Sequence, residues 1–403
     1  MNVIFMAIYG IFRGIFVLSG NRHAMKILIC PDKFKECLGA FHVASSILKG
    51  MLKVMPEADF RIMPLADGGE GTVEALVEST GGRLITVRVH DPLMRPVTAF
   101  FGITGHGNTA VIEMAAASGL ALLKPGERNP LITTTYGTGE LIKRALDEGC
   151  REIILGIGGS ATVDGGVGMA QALGISFRDE YDQEIAPGGG NLNRIVSIDK
   201  SNLDPRLRHC KVYAACDVNN PLTGLNGAAL VYGPQKGATR AMAKILDANL
   251  RHLGNVIRDL WNCEADILAG AGAAGGLGGG IFAFLNGELK SGFELISHAV
   301  KLEKWISWAD LVITGEGKMD AQTAYGKTAG GVARMAKSKN KPVIAFAGSV
   351  EEETDKFLTL GFTAVIPIAD RPMTLHQSMA DAGRLLESAA QRVGRMLVLG
   401  KRL

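Results

Sequence analysis

The chain has 403 residues, too many for one ordinary core, so two domains are expected. Its 47% hydrophobic and 21% charged residues describe a soluble globular protein, and a net charge of +3 without a long basic block argues against nucleic acid as a partner. The six cysteines (Cys30, Cys37, Cys150, Cys210, Cys216 and Cys263) show no CxxC spacing and no accompanying His cluster, which argues against a zinc site and points to reduced thiols in the cytoplasm.

Residues 1–24 stand apart. The run from Met1 to Leu18 is mostly apolar but interrupted by Arg13, too short for a clear membrane span and without the basic start of a signal peptide. This segment is expected to be an extension outside the fold, the other reading being a membrane-associating segment; stable membrane association is not expected. The fold is expected to begin at Met25, with a strand from Lys26 to Cys30. A helix follows from Val43 to Met55, with Val43, Ile47, Leu48, Met51 and Leu52 on one stripe. A strand from Phe60 to Leu65 leads through Ala66-Asp67-Gly68-Gly69-Glu70-Gly71-Thr72 into a helix ending near Ser79.

At Arg83 the pattern changes. Leu84 to Val89 alternates with period two, a turn follows at Asp91 to Pro96, and Val97 to Ile103 and Ala110 to Met114 are strand-like again, which predicts an antiparallel meander. Further strands are expected at Ile153 to Leu155 and Lys211 to Cys216. From about Lys301 strands and helices alternate as in a parallel sheet: a strand from Asp310 to Thr314, a loop from Gly315 to Asp320, a helix starting at Val332, strands at Pro342 to Gly348 and Ala364 to Ile368, and a last helix from about Leu375 to Leu399. The whole predicts an α/β fold with two α/β domains. One is Rossmann-like, its parallel sheet built from both chain ends (25–82 and 301–403); the second (83–300) is inserted into it and contains the meander.

Glycine is the compositional outlier, with 52 residues, about twice the usual share of about 7%. Many cluster with Asp, Ser, Thr and Asn in five loops, four of them directly after expected strands, where ligands bind in such sheets. In Gly156-Ile157-Gly158-Gly159-Ser160-Ala161-Thr162-Val163-Asp164-Gly165-Gly166-Val167-Gly168, bare backbone and hydroxyls at a strand-to-helix turn suit a phosphate; a plain tight turn is the competing reading. Pro31-Asp32-Lys33-Phe34-Lys35-Glu36 places Lys33 and Lys35 for a phosphate or carboxylate, unless they are surface lysines. Asp67 and Glu70 could hold Mg²⁺ or cap a helix. Asp217-Val218-Asn219-Asn220-Pro221-Leu222-Thr223-Gly224 could orient a hydroxyl or form an Asx-turn. The fifth loop is Thr314-Gly315-Glu316-Gly317-Lys318-Met319-Asp320, followed by Gly326-Lys327-Thr328, which lacks the Walker A spacing. The GxGxxG-like run from Gly270 to Gly280 follows no evident strand, so close helix packing or a hinge is expected there. Neither HExxH nor a G-x-S-x-G elbow occurs. Glycine amides, lysines and aspartates together suit phosphoryl transfer. Two other classes use similar parts: a small-anion-binding protein and a nicotinamide oxidoreductase.

Six segments occur in an order that resembles the bacterial class I glycerate kinases: Pro31-Asp32-Lys33-Phe34-Lys35, Ala66 to Thr72, Gly158-Gly159-Ser160-Ala161-Thr162, Ala215 to Gly224, Gly233-Pro234-Gln235-Lys236-Gly237-Ala238 and Ile313 to Gly317. The likeness runs from about Met25 to the C-terminus. It implies ATP-dependent, Mg²⁺-assisted phosphorylation of D-glycerate, usually giving 2-phosphoglycerate; a 3-kinase regiochemistry stays open, as does assembly into a homo-oligomer. It implies Asp217 or Asp320 as the base, Lys33 and Lys35 on the substrate carboxylate or the moving phosphoryl group, and Asp67 and Glu70 at Mg²⁺. Gly158, Gly159 and Ser160 would face phosphate oxygens, with Gly315, Glu316 and Gly317 also assigned to the nucleotide. Two departures from the family pattern stand out: Val163 replaces a usual Asn, which interrupts the polar face expected of that loop, and Lys318-Met319 replaces Arg-Ile.

Overall fold

The computed structural model describes residues 24–320, 323, 328–351 and 354–400. Apart from Ala24, the expected N-terminal extension lies outside the described residues, as do Gly326 and Lys327. The strands in chain order are β1 (Lys26–Ile29), β2 (Asp59–Ile62), β3 (Arg83–His90), β4 (Pro96–Ile103), β5 (Thr109–Glu113), β6 (Glu152–Gly156), β7 (Ser176–Arg178) and β8 (Ser197–Asp199). They continue with β9 (Lys211–Ala215), β10 (Glu288–Lys290), β11 (Leu311–Met319), β12 (Val343–Val350) and β13 (Ala364–Pro367).

Strands from both chain ends form a parallel sheet ordered β13-β12-β11-β1-β2. From its centre the chain winds one way through β1 and β2 and the other way through β11, β12 and β13, so the winding reverses between β1 and β11. Alternate residues of β1 serve opposite faces. Ile27 and Ile29 pack with Val43, Ile47 and Met51 of the helix Ala40–Leu52 and with Leu385 and Ala389 of the helix Ala382–Gly400. Leu28 packs on the other side with Leu76, Ile306 and Val332. Each such buried side chain contributes roughly 1.5–3 kcal/mol.

The intervening chain forms a mixed sheet ordered β10-β9-β6-β5-β4-β3. β3, β4 and β5 are the antiparallel meander, and β5, β6, β9 and β10 run parallel. Its core includes Phe101, Ile112, Leu141, Ile153, Leu155, Leu253 and Leu277. β7 and β8 form a separate two-stranded ribbon. The α/β architecture is the one the sequence predicts. No described helix is long and apolar enough to cross a membrane.

Two local expectations are corrected, and the close helix packing expected of the Gly270 to Gly280 run is observed. The loop expected at Gly315 to Asp320 is mostly strand: β11 runs on to Met319, paired with β12 as far as Val350. Glycines that looked like breakers there serve close backbone approach. The last helix is interrupted at Asp381, giving Leu375–Ala380 and Ala382–Gly400. The Gly270 to Gly280 run enters the helix Ala273–Leu285 through three left-handed residues, Ala274, Gly275 and Gly276.

The two sheets meet at the loop after β2. Gly68 has φ +87°, and a Cβ there would lie 2.5 Å from the Cβ of Ala215 at the end of β9, so only glycine seats this loop. The helix Gly292–Ala299 ties the halves together, with Leu295 against Ile154 and Ala215 and Ile296 in the core beneath the parallel sheet.

Candidate active site

At this junction lies a cavity of about 450 Å³. Its floor is the carboxyl end of β6 (Ile157, Gly158, Gly159, Ser160) and of β9 (Ala215, Cys216, Asp217, Val218). Asp67, Gly68 and Gly69 close one side, and Gln235 and Lys236 the other. Three of the five predicted loops therefore reach one space, each from a strand end, where ligands of such sheets bind.

The loop after β6 is fixed from beneath. Asp164 is buried and accepts the Thr135 N–H at 2.7 Å and the Thr135 hydroxyl at 2.9 Å through Oδ2. Gly166 and Gly168 N–H groups add to it at 3.2 and 3.3 Å. Burial raises its pKa against the pull of these donors. Asp164 thus anchors the turn into the helix Val167–Ala172 and lies under the loop rather than in the cavity lining. Val163 is fully buried in the core of the mixed sheet. It does not interrupt the loop's polar face, contrary to the sequence reading, because its side chain points away from that face. Gly158 and Gly159 lie exposed along the cavity with no side chain covering their backbone.

Lys236 forms the opposite wall. It is 2% exposed, and its ammonium donates to Ser160 Oγ and to the Thr162 carbonyl, each at 2.7 Å. Burial lowers its pKa to about 7, opposed by the charge of Asp164. The motif containing Lys236 carries part of the family likeness, but its sequence alone assigns this lysine no role beyond that of a lysine between glycines in a tight turn. Thr135 was also missed, although the run Thr133-Thr134-Thr135 before a helix signals a polar anchor.

Carboxylates face this wall. Asp217 is open to solvent, and its Oδ1 accepts the Gly292 N–H at 3.1 Å. Partial desolvation, with the like charge of Asp67, raises its pKa against the Gly292 and Ser291 hydrogen bonds. Asp67 Oδ1 accepts the Gly69 N–H at 3.1 Å. Asp32, at the reversal point of the parallel sheet, is buried, and burial followed by Asp67 raises its pKa to about 6. One carboxylate thus repels two others, a strain that a divalent cation would relieve. Among the described residues no three His, Cys, Asp or Glu side chains converge on one point. The donors therefore fit Mg²⁺ held by one or two carboxylates, substrate phosphate and water, and do not form an all-protein cage.

The remaining sequence candidates lie outside the lining. Lys33 is half-buried, its ammonium bonded to the Glu70 carbonyl and next to Gly69. Lys35 and Glu70 are exposed, so Asp67 and Glu70 do not converge as a pair on the cavity. Asp320 stands 3.8 Å from the Lys318 ammonium, and its N–H donates to Thr323 Oγ1 at 3.1 Å. Glu316 is buried and accepts from the Thr323 hydroxyl at 2.5 Å. Gly315 and Gly317 lie against the backbone of Phe346 and of Phe34–Lys35, within the strand.

Two α/β sheets with a cavity at their strand ends, amides and a cation on one wall and carboxylates on the other, define a ligand-binding α/β protein whose site suits an oxyanion. The model of the Glycerate kinase family matches residues 27–398. A glycerate kinase of Bacillus subtilis (strain 168) is 50% identical over 94% of this chain and 99% of its own. A glycerate 2-kinase of Escherichia coli (strain K12) is 48% identical over 94% and 99%. A crystal structure of a Salmonella typhimurium LT2 protein, provisionally named glycerate kinase 2, superposes with a TM-score of 0.88 at 48% identity, covering 94% of this chain and 100% of that one. The chain belongs to the glycerate kinase family and is a phosphotransferase.

Proposed function

We propose that the protein transfers the terminal phosphoryl group of ATP to the 2-hydroxyl of D-glycerate, giving 2-phosphoglycerate and ADP. The observation that carries this reading is the two-sided cavity, with Gly158, Gly159, Ser160 and Lys236 facing Asp67 and Asp217. Phosphoryl transfer asks a protein mainly to position two substrates and neutralise charge, and the amide and ammonium wall suits the phosphoryl oxygens.

Asp217 is the base in this reading. It borders the cavity, whereas Asp320 is engaged with Lys318 and Thr323 outside it. A carboxylate with a raised pKa takes the hydroxyl proton more readily as the bond to phosphorus forms. Asp67 is the carboxylate that would hold Mg²⁺, which when bound neutralises phosphoryl oxygens. Lys33, bonded to the loop that carries Asp67, holds that loop in place. The choice of the 2-hydroxyl is supported by the likeness to the Escherichia coli protein named for it.

A coupled assay of ADP release tests the reaction. ADP production that requires D-glycerate is expected. D-glycerate binding without ADP release would instead make the chain a small-anion-binding protein.

A further inference from the structure

The cavity contains a buried cation whose hydrogen bonding is incomplete. An ammonium has three N–H donors, and that of Lys236 uses two, on the Ser160 hydroxyl and the Thr162 carbonyl. Both partners are neutral. The third donor has no acceptor among the described residues, and no described carboxylate forms an ion pair with it. Asp164, whose field reaches Lys236 from beneath, is already bonded by Thr135, Gly166 and Gly168. A lysine needed only to tie the loop to the turn Pro234–Lys236 would gain nothing from a charge, because burying an unpaired ammonium is costly. The cost is offset if an anion from the cavity becomes its third partner.

We propose that Lys236 is the anion-binding residue of the cavity: its ammonium, aimed by Ser160 and Thr162, receives a substrate oxyanion, either the acceptor's carboxylate or the phosphoryl group in transit. The proposal rests on the kinase reading of the cavity and adds to it a group with a protonation role. With burial lowering its pKa to about 7, Lys236 is partly neutral in the empty site near neutral pH. An arriving oxyanion raises that pKa again, so binding takes up a proton. Asp164 from below and Asp67 and Asp217 across the cavity are the other charges facing it, and none of them supplies a compensating hydrogen bond.

Calorimetric titration at pH 8, in two buffers of different ionisation heat, reads this directly for D-glycerate alone and ADP alone. The wild type is expected to take up a fraction of a proton with the anion that Lys236 holds. Lys236→Met should lose that uptake and at least about tenfold in affinity or rate. Loss confined to D-glycerate affinity, with proton uptake on D-glycerate binding in the wild type, assigns the carboxylate; loss of kcat with both affinities kept, and no uptake with either ligand alone, assigns the phosphoryl group in transit. Lys236→Arg, which keeps charge but not the ammonium geometry, should recover part of the affinity without the pH dependence. If Lys236→Met does not fold by circular dichroism, Ser160→Ala removes one partner and should shift the pH midpoint of binding. A folded Lys236→Met variant with affinities, proton uptake and kcat within twofold of wild type would overturn the proposal, as would an unmoved midpoint in Ser160→Ala. The kinase reading fails separately: proton-linked binding of inorganic pyrophosphate, lost in Lys236→Met, would uphold the anion site even in a protein that makes no phosphoglycerate.

Discussion

Asp217 and Asp164 occupy neighbouring loops and do different work. Asp164 is buried, with its oxygens bonded by Thr135, Gly166 and Gly168, and it supports the loop. Asp217 lines the cavity with a raised pKa, and in the proposed reaction it takes the hydroxyl proton. Asp217→Asn should therefore lower kcat by roughly 10²–10⁴-fold while binding of each substrate changes little. Near-normal kcat in steady-state assays would remove it from the base role. Asp32 tests electrostatics in another way. Its folded pKa of about 6 stands above its ordinary 3.8, so the folded state holds the proton more tightly and loses stability as pH rises between those values. Asp32→Asn never ionises. It should be more stable than wild type at pH 7, by up to about 3 kcal/mol, and no more stable near pH 3.5, as thermal melts at both pH values would read. At this scale the sequence disclosed three of the loops that meet at the cavity but not the direction of each side chain. Val163, Asp164 and Ser160 are near neighbours in one loop, and one enters the core, one anchors the turn and one faces the cavity.

The elements were legible where periodicity is strong. The stripe Val43, Ile47, Met51 and the period-two run after Arg83 both became the expected helix and strand. Glycine was the misleading signal. In β11, Gly315 and Gly317 permit close strand and loop packing, whereas local sequence suggests a break. In the helix Ala273–Leu285, left-handed residues bring its entry against the Gly-rich loop: Gly275 has φ +72°, and a Cβ there would lie 1.9 Å from the Thr162 oxygen. That oxygen also accepts from Lys236. Gly275→Ala should therefore cost several kcal/mol and disturb the cavity together with the fold. A lower melting midpoint with reduced kcat is expected; unchanged values for both would show that the helix entry does not support the loop.

At the scale of the whole molecule, the site exists because distant segments close on each other. β1 and β11 pair across almost three hundred residues, and Gly68 lets the loop after β2 reach the end of β9. Alternating strands and helices at both chain ends were enough to predict a sheet shared by those ends. The convergence of Asp67, Ser160, Asp217 and Lys236 was not legible, since it depends on how the two sheets pack, which local pattern does not encode. The exposed lysine and glutamate of the loops, Lys35 and Glu70, looked as promising in sequence as the residues that line the cavity. Phosphorus NMR of the product made from ATP and D-glycerate is the most direct test of this architecture as a kinase. The account predicts one new phosphomonoester, 2-phosphoglycerate, formed by the wild type and strongly reduced in Asp217→Asn; a 3-phosphoglycerate signal, or no phosphoglycerate at all, would contradict it.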